Sequence, residues 1–387
     1  MGTSIWYDEP GVFNIDLKRQ GSDLLQMNSR ERIFKALNRE IPDRVPTFEL
    51  LIDEASIMKL SKLILDGTID TENIKTRFGE ESRDTLELHC RIAEKLDLDS
   101  ITTFFSTGLN NIDDNIAIDR FGTKYHLSEH GQPLPFEGPI KSIKDTVGFD
   151  MAGSLKEEDF KGPDYVLKTV KKERAVFLLL SDPFKLSWKL RGGMENLLFD
   201  YVLDPALVHK LASITTEFNL AAIDYAAAMG IDAIAVEGDL AGSTNLIMSP
   251  EHFKEYVKPY LEKIVQYAHS KGLKIIKHSD GNIWQILDDL IDIGFDGIHP
   301  IQPQCMDIRQ VKEYLKDKAC IIGNIDCQEL LPNGSPGEVE SIVKETIEIA
   351  SPGGGYIISS SNSIHPGVKP ENYIAMVGAV HKYGRYD

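Results

Sequence analysis

Short β-branched runs alternate with longer stretches whose apolar residues recur every three to four positions, from about residue 45 to the end of the chain. The strand-like runs are Val45–Leu50, Ile101–Phe105, Val176–Ser181, Ala233–Glu237, Lys274–His278, Gly297–Gln302, Cys320–Asn324 and Tyr356–Ser360. Between them, Pro250 to Lys271 sets Phe253, Tyr256, Val257, Tyr260, Leu261, Ile264 and Val265 at helical spacing. Ile283 to Ile293 and Val339 to Ala350 read the same way. Asn28, with Glu31 three residues later, marks an earlier helix start, and Ile33, Ala36 and Leu37 supply that helix's apolar face before Pro42. Eight strands joined by helices predict an α/β fold, specifically a (β/α)8 TIM barrel. A doubly wound sheet with a second domain is the structural rival, but no shift in composition divides the chain.

Two regions fall outside this rhythm. Residues 1–28 show no clear period and read as an N-terminal arm or extension, one able to pack on a second copy in a homodimer. The barrel is then expected over 29–387. Between strands two and three an insertion of about 106–170 contains Ile116–His126, which reads as a β-hairpin turning near Phe121-Gly122-Thr123. Glu129–Pro139, rich in Gly and Pro, reads as loop. An insertion there sits over the barrel mouth as a lid or substrate wall, or else is a passive decoration.

Composition narrows the partners. The 387 residues carry 42 Lys and Arg against 60 Asp and Glu, a formal charge of -18. Nucleic acid and anionic membranes require a basic face and are not expected partners. No run approaches the roughly 20 apolar residues of a membrane span, and the first residues lack a signal-peptide pattern. Cys90, Cys305, Cys320 and Cys327 are too few and scattered for a disulfide scaffold, so a cytoplasmic location is expected.

Candidate chemistry collects at the carboxyl ends of the strands, where such barrels build their sites. His278 and Asp280 stand on alternate residues after strand five and therefore point to the same side. Glu237 and Asp239 lie at the end of the neighbouring strand four. One imidazole with two or three carboxylates suits zinc or another divalent ion, with His278, Glu237, Asp239 and Asp280 as candidate ligands. Without metal the same groups serve as acid and base. Glu49, Phe105, Asp182, His299 and Asn324 sit at other strand ends and are candidates for contacting substrate. His299 also reads as a buried structural histidine, and Cys305 and Cys327 as small buried hydrophobes or nearby thiolates. Ser351–Gly355 precedes strand eight, on the opposite face, and reads as a tight turn rather than a phosphate cradle. A nucleophile elbow, a Walker motif and a dinucleotide fingerprint are all missing from the sequence.

Arg30–Pro46, Gly323-Asn324-Ile325-Asp326 with Leu330-Leu331, and Pro370–Met376 occur in this order along the chain. In them the sequence resembles the uroporphyrinogen decarboxylase superfamily over roughly residues 29 to 385, and the resemblance implies a (β/α)8 barrel. True decarboxylases of that superfamily carry an Arg-Gln-Ala-Gly-Arg segment after strand one and an Asp after strand two. Here the acidic Phe48–Glu54 and Thr103–Thr107 stand in those places, which disfavours a polycarboxylate tetrapyrrole. The other branch transfers methyl groups in corrinoid-dependent systems, and its members acting on coenzyme M bind zinc through His-x-Cys after strand five and a Cys after strand eight. The matching positions are His278, Asp280 and Asn362, the implied catalytic set, with both thiolates replaced by oxygen donors. The resemblance implies methyl transfer from a small methylated donor, of O-methyl type, to cobalamin carried by a partner corrinoid protein. A decarboxylase-like lyase and a silent ligand-binding barrel are the alternatives.

Overall fold

The computed structural model describes residues 27–65, 82–127 and 133–386, together with the short antiparallel pair β1 (Trp6–Tyr7) and β2 (Phe13–Asn14). The rest of the expected N-terminal arm lies outside the described residues. The helix Ser29–Leu37 begins at Asn28, where the Asn28 side chain accepts from Glu31 N–H and the Glu31 carboxylate accepts from Asn28 N–H. This capping box satisfies two of the amides a helix start leaves unpaired.

The central sheet starts with β3 (Ser100–Phe104). An insert follows, folded as a four-stranded antiparallel sheet of β4 (Leu109–Asn111), β5 (Ile116–Asp119), β6 (Lys124–His126) and β7 (Leu134–Glu137). Then come β8 (Ala175–Ser181), β9 (Ala233–Glu237), β10 (Lys274–His278), β11 (Gly297–His299), β12 (Cys320–Ile322) and β13 (Tyr356–Ile357). β3 and β8 to β13 form one seven-stranded parallel sheet in which each strand pairs with its neighbours in this sequence.

The expected first strand lies against both edges of that sheet through isolated contacts rather than a ladder. Thr47 bridges Ile358 in parallel, Phe48 N–H donates to Ile358 O at 3.0 Å and Ile358 N–H to Pro46 O at 2.9 Å. On the other side, Ser100 Oγ and Thr102 Oγ1 donate to the carbonyls of Thr47 and Glu49. Pro46 has no N–H to give, which interrupts regular pairing. A buried ionic knot fixes this segment to β3: Asp99 accepts from Arg32 at 2.5 Å, from Arg44 at 2.6 Å and from Thr47 N–H at 2.9 Å.

Alternation along the strands separates two apolar layers. Phe48, Phe177, Ala235, Ile276 and Ile322 cluster on one side of the sheet. Ile234, Val236, Ile275 and Ile298 join the larger cluster that includes the helices. His278 continues the alternation of Ile276 and therefore belongs to the first side.

Three expected elements differ in detail. Residues 133–139 are not all loop, because Leu134–Glu137 pairs with β6 as an edge strand, the position that tolerates Pro135. The stretch 106–170 divides into the insert and a helix, Lys161–Val170, that leads back to β8. The long helix after Pro250 is two helices, Pro250–Tyr256 and Lys258–Ser270. Pro259, without an N–H, starts the second and cannot continue the first.

Candidate functional site

Parallel register places Glu237, His278 and His299 side by side at the carboxyl ends of β9, β10 and β11. Asp239 and Asp280 lie two residues beyond their strands, next to the buried His278 ring. His278 Nε2 is 3.6 Å from Asp239 Oδ1 and 3.9 Å from Asp280 Oδ1. One ligating atom from each of the three residues falls within 4.8 Å of the others. Asp280 is held firmly. Asn362 Nδ2 donates to its Oδ2 at 2.5 Å, and its own N–H donates to Asp239 Oδ1 at 3.0 Å. The next residue, Gly281, has φ +86° and lies so close to the chain that a Cβ there would stand 2.4 Å from Gly242 O. Only glycine permits that approach without displacing the loop.

The electrostatics suit a cation. Burial pushes the His278 imidazole down to about 3, leaving it neutral and able to ligate through Nε2. Burial, followed by the charge of Asp239, pushes the Asp280 carboxyl up to about 7. Its Oδ1 is buried and has no hydrogen-bond partner among the described residues. A buried carboxylate oxygen left unpaired is costly, and a bound cation supplies the missing partner. The donor set therefore fits a divalent ion preferring nitrogen and oxygen ligands.

The other candidate residues divide between the site and its support. Glu237 is outside the three-residue cluster, its oxygens engaged by Ser181 Oγ at 2.7 Å and by Lys185 Nζ. Burial alone would raise its pKa, but Lys185 and Lys189, together with Ser181, bring it down to about 2. Asp182 faces inward, capping the helix Pro183–Leu190 and pairing with the fully buried Lys277 at 2.9 Å. Lys277 Nζ also donates to Gly238 O at 2.7 Å and His278 O at 2.9 Å, tying β10 to the loop that carries Asp239. His299 is fully buried, with Nδ1 2.8 Å from His278 Nδ1 and Nε2 3.1 Å from Ser359 Oγ. Glu49 is buried against Ser360, which donates through N–H at 3.2 Å and through Oγ at 2.5 Å. Asn324 is buried and donates to Ile301 O at 3.0 Å. Cys327 accepts from Ser361 Oγ at 3.3 Å.

Phe105 lines a cavity of about 430 Å³ that also includes Asp239, Tyr125, Lys185, Trp188 and Lys189. Leu109, Tyr125 and Leu134 come from the insert, which thus forms one wall of the cavity. Phe105 is set in place by stacking on Phe160, with ring centroids 4.8 Å apart. Sequence reasoning passed over Lys185, Trp188 and Lys189. Their signal was the four-residue spacing of the two lysines immediately after Asp182-Pro183, which directs both from one helix face toward the strand ends.

The model of the uroporphyrinogen decarboxylase (URO-D) family matches residues 85–383. A uroporphyrinogen decarboxylase of Vesicomyosocius okutanii is 24% identical over 314 residues, covering 77% of this chain and 85% of that protein. The methylcobamide:CoM methyltransferase MtaA of Methanosarcina barkeri is 29% identical over 208 residues, covering 53% of this chain. The match spans about half of that relative's length, 54%. It likewise spans 52% of a uroporphyrinogen decarboxylase of Thioalkalivibrio sulfidiphilus. Among solved structures, a methyltransferase from Methanosarcina mazei superposes with a TM-score of 0.69 at 19% identity, over 92% of this chain and 98% of that one, and so shares the fold. The matched model, the parallel sheet and the shared fold establish that the chain belongs to the uroporphyrinogen decarboxylase family, with the corrinoid methyltransferases among its relatives.

Proposed function

We propose that this protein is a metal-assisted methyltransferase that moves a methyl group from a small O-methylated donor to the corrinoid of a partner protein. The observation that carries this reading is the cluster of Asp239, His278 and Asp280 beside the 430 Å³ cavity, with Asp239 belonging to both. In this reading the sheet and the Thr47 segment make up a (β/α)8 barrel over residues 29–387, and the cluster stands at its mouth. In this reading the protein meets its corrinoid partner in the cytoplasm.

Asp239, His278 and Asp280 would hold the ion. When bound there, a zinc or similar divalent ion would supply Lewis acidity toward the donor's oxygen, the atom that gains charge when the methyl group leaves. His278 would bind through its neutral imidazole. Asn362 and the Gly281 turn orient Asp280, and His299 orients His278. Phe105 and Trp188 give the cavity an apolar wall for the donor's body. Asp239, with its side chain 46% exposed, is the ligand that meets the cavity. Replacement of thiolates by oxygen donors favours an oxygen-bound substrate over a thiol.

A lyase acting on a carboxylated substrate is the second reading, supported by the decarboxylase similarity over 77% of the chain. One assay separates the two. The protein is mixed with a reduced Co(I) corrinoid protein and a panel of methoxylated donors, and the visible spectrum is followed. Conversion to methyl-Co(III) with at least one donor supports methyl transfer. Release of CO2 from a carboxylated substrate, without corrinoid methylation, refutes it.

A further inference from the structure

Lys185 and Lys189 project from one face of the helix Pro183–Leu190 into the same cavity, but their situations differ. Lys185 is neutralised by Glu237. Lys189 has neither a hydrogen bond nor a carboxylate within ion-pair distance among the described residues, although it lines the cavity. The acid of the insert that faces it, Asp119, has its oxygens occupied, by Tyr125 OH at 2.7 Å and by the N–H groups of Phe121 and Thr123, each at 2.9 Å. Asp239, the remaining acid of the cavity, belongs to the candidate metal cluster. A half-buried ammonium group one helical turn from Lys185, with no partner among the described residues, is poorly satisfied until an anion arrives. Burial and Lys185 accordingly push the Lys189 pKa down, against the smaller opposing effects of Glu237, Asp119 and Asp182.

We infer that Lys189 is the anion-binding end of the substrate subsite, and that the substrate is an aromatic or apolar molecule bearing a carboxylate. The carboxylate pairs with Lys189, the ring lies along Trp188 and Phe105, and the reacting group is directed to Asp239. This deepens the reading of the cavity as the methyl donor's site and rests on it. A volume of about 430 Å³ accommodates one substituted ring.

Binding tests the inference without corrinoid or turnover. Isothermal titration calorimetry follows the binding of 4-methoxybenzoate and of its neutral isostere 4-methoxybenzamide to the whole protein and to its Lys189→Met and Lys189→Arg variants. Thermal melting confirms that each variant is folded. The acid should bind the wild type at least about tenfold more tightly than the amide. Lys189→Met should lose that preference while keeping its affinity for the amide, and Lys189→Arg should retain it. Equal binding of the two probes by the wild type, failure of both to bind at millimolar concentration, or a preference that survives Lys189→Met each overturns the inference. Acid-selective binding that depends on Lys189, in a protein that methylates no corrinoid, would uphold the subsite and refute the methyl-transfer reading instead.

Discussion

His278 Nδ1 lies 2.8 Å from His299 Nδ1, and this one contact sets the chemistry of the candidate site. Two neutral imidazoles share a single proton across that gap. If His278 Nε2 ligates an ion held with Asp239 and Asp280, its Nδ1 must carry the proton and donate to His299. In that state His299 would carry its own proton on Nε2 and donate to Ser359 Oγ, 3.1 Å away. A hydrogen bond to the far nitrogen of a ligating imidazole fixes its tautomer and ring orientation. His299→Leu should therefore weaken divalent-ion affinity by roughly 10–100-fold without removing a ligand. Competition with a chromophoric chelator measures it, and unchanged affinity would show that His299 serves packing alone.

Metal binding should also depend on pH through Asp280. Its carboxyl, raised to about 7 by burial and then by Asp239, must lose a proton before it ligates, whereas His278, lowered to about 3, is already neutral. Affinity should fall by about tenfold for each pH unit below 7 and level off above it. Asp280→Asn should bind more weakly and lose the slope. Titrations at several pH values read this directly, and a slope persisting in Asp280→Asn would assign it to another group.

Glu49 should make stability fall with rising pH. Burial, only partly offset by the Ser360 and Ser359 hydrogen bonds, raises its pKa from 4.5 to about 8. The folded protein thus keeps a proton that the unfolded chain releases. The stabilisation from that proton is complete below pH 4.5 and is lost as pH rises through about 8. Glu49→Gln should flatten this decline and be the more stable protein above pH 8. Denaturant midpoints across the range test it, and parallel profiles for the two proteins would contradict it.

The knot at Asp99 should be the costliest support to break. Asp99→Asn leaves Arg32 and Arg44 buried beside a neutral partner, so it should cost roughly 3–5 kcal/mol in urea unfolding. A loss below about 1 kcal/mol would mean that water reaches the two guanidinium groups.

Much of this architecture was legible in the chain. Ala233–Glu237 and Lys274–His278 were readable as strands to the residue because their β-branched runs end in charged groups at the strand tips. The His-x-Asp alternation correctly implied a shared direction, and Asn362 indeed meets Asp280. Contacts between distant segments were not legible. Lys277 interrupts an otherwise apolar strand, but nothing local shows that Asp182, 95 residues earlier, receives it. Glu237 and Asp239 look equivalent in sequence, and it takes the position of Lys185 to commit one of them to an ion pair. The strand Leu134–Glu137 was hidden by Pro135, which only an edge position tolerates.

The central claim is that Asp239, His278 and Asp280 hold one divalent ion, and elemental analysis of the purified protein tests it most directly. After metal-replete preparation and exhaustive dialysis, the wild type should retain one divalent ion per chain. His278→Ala, folded by circular dichroism, should retain none. A wild-type protein that holds no ion, or a variant that holds as much as the wild type, would contradict the account.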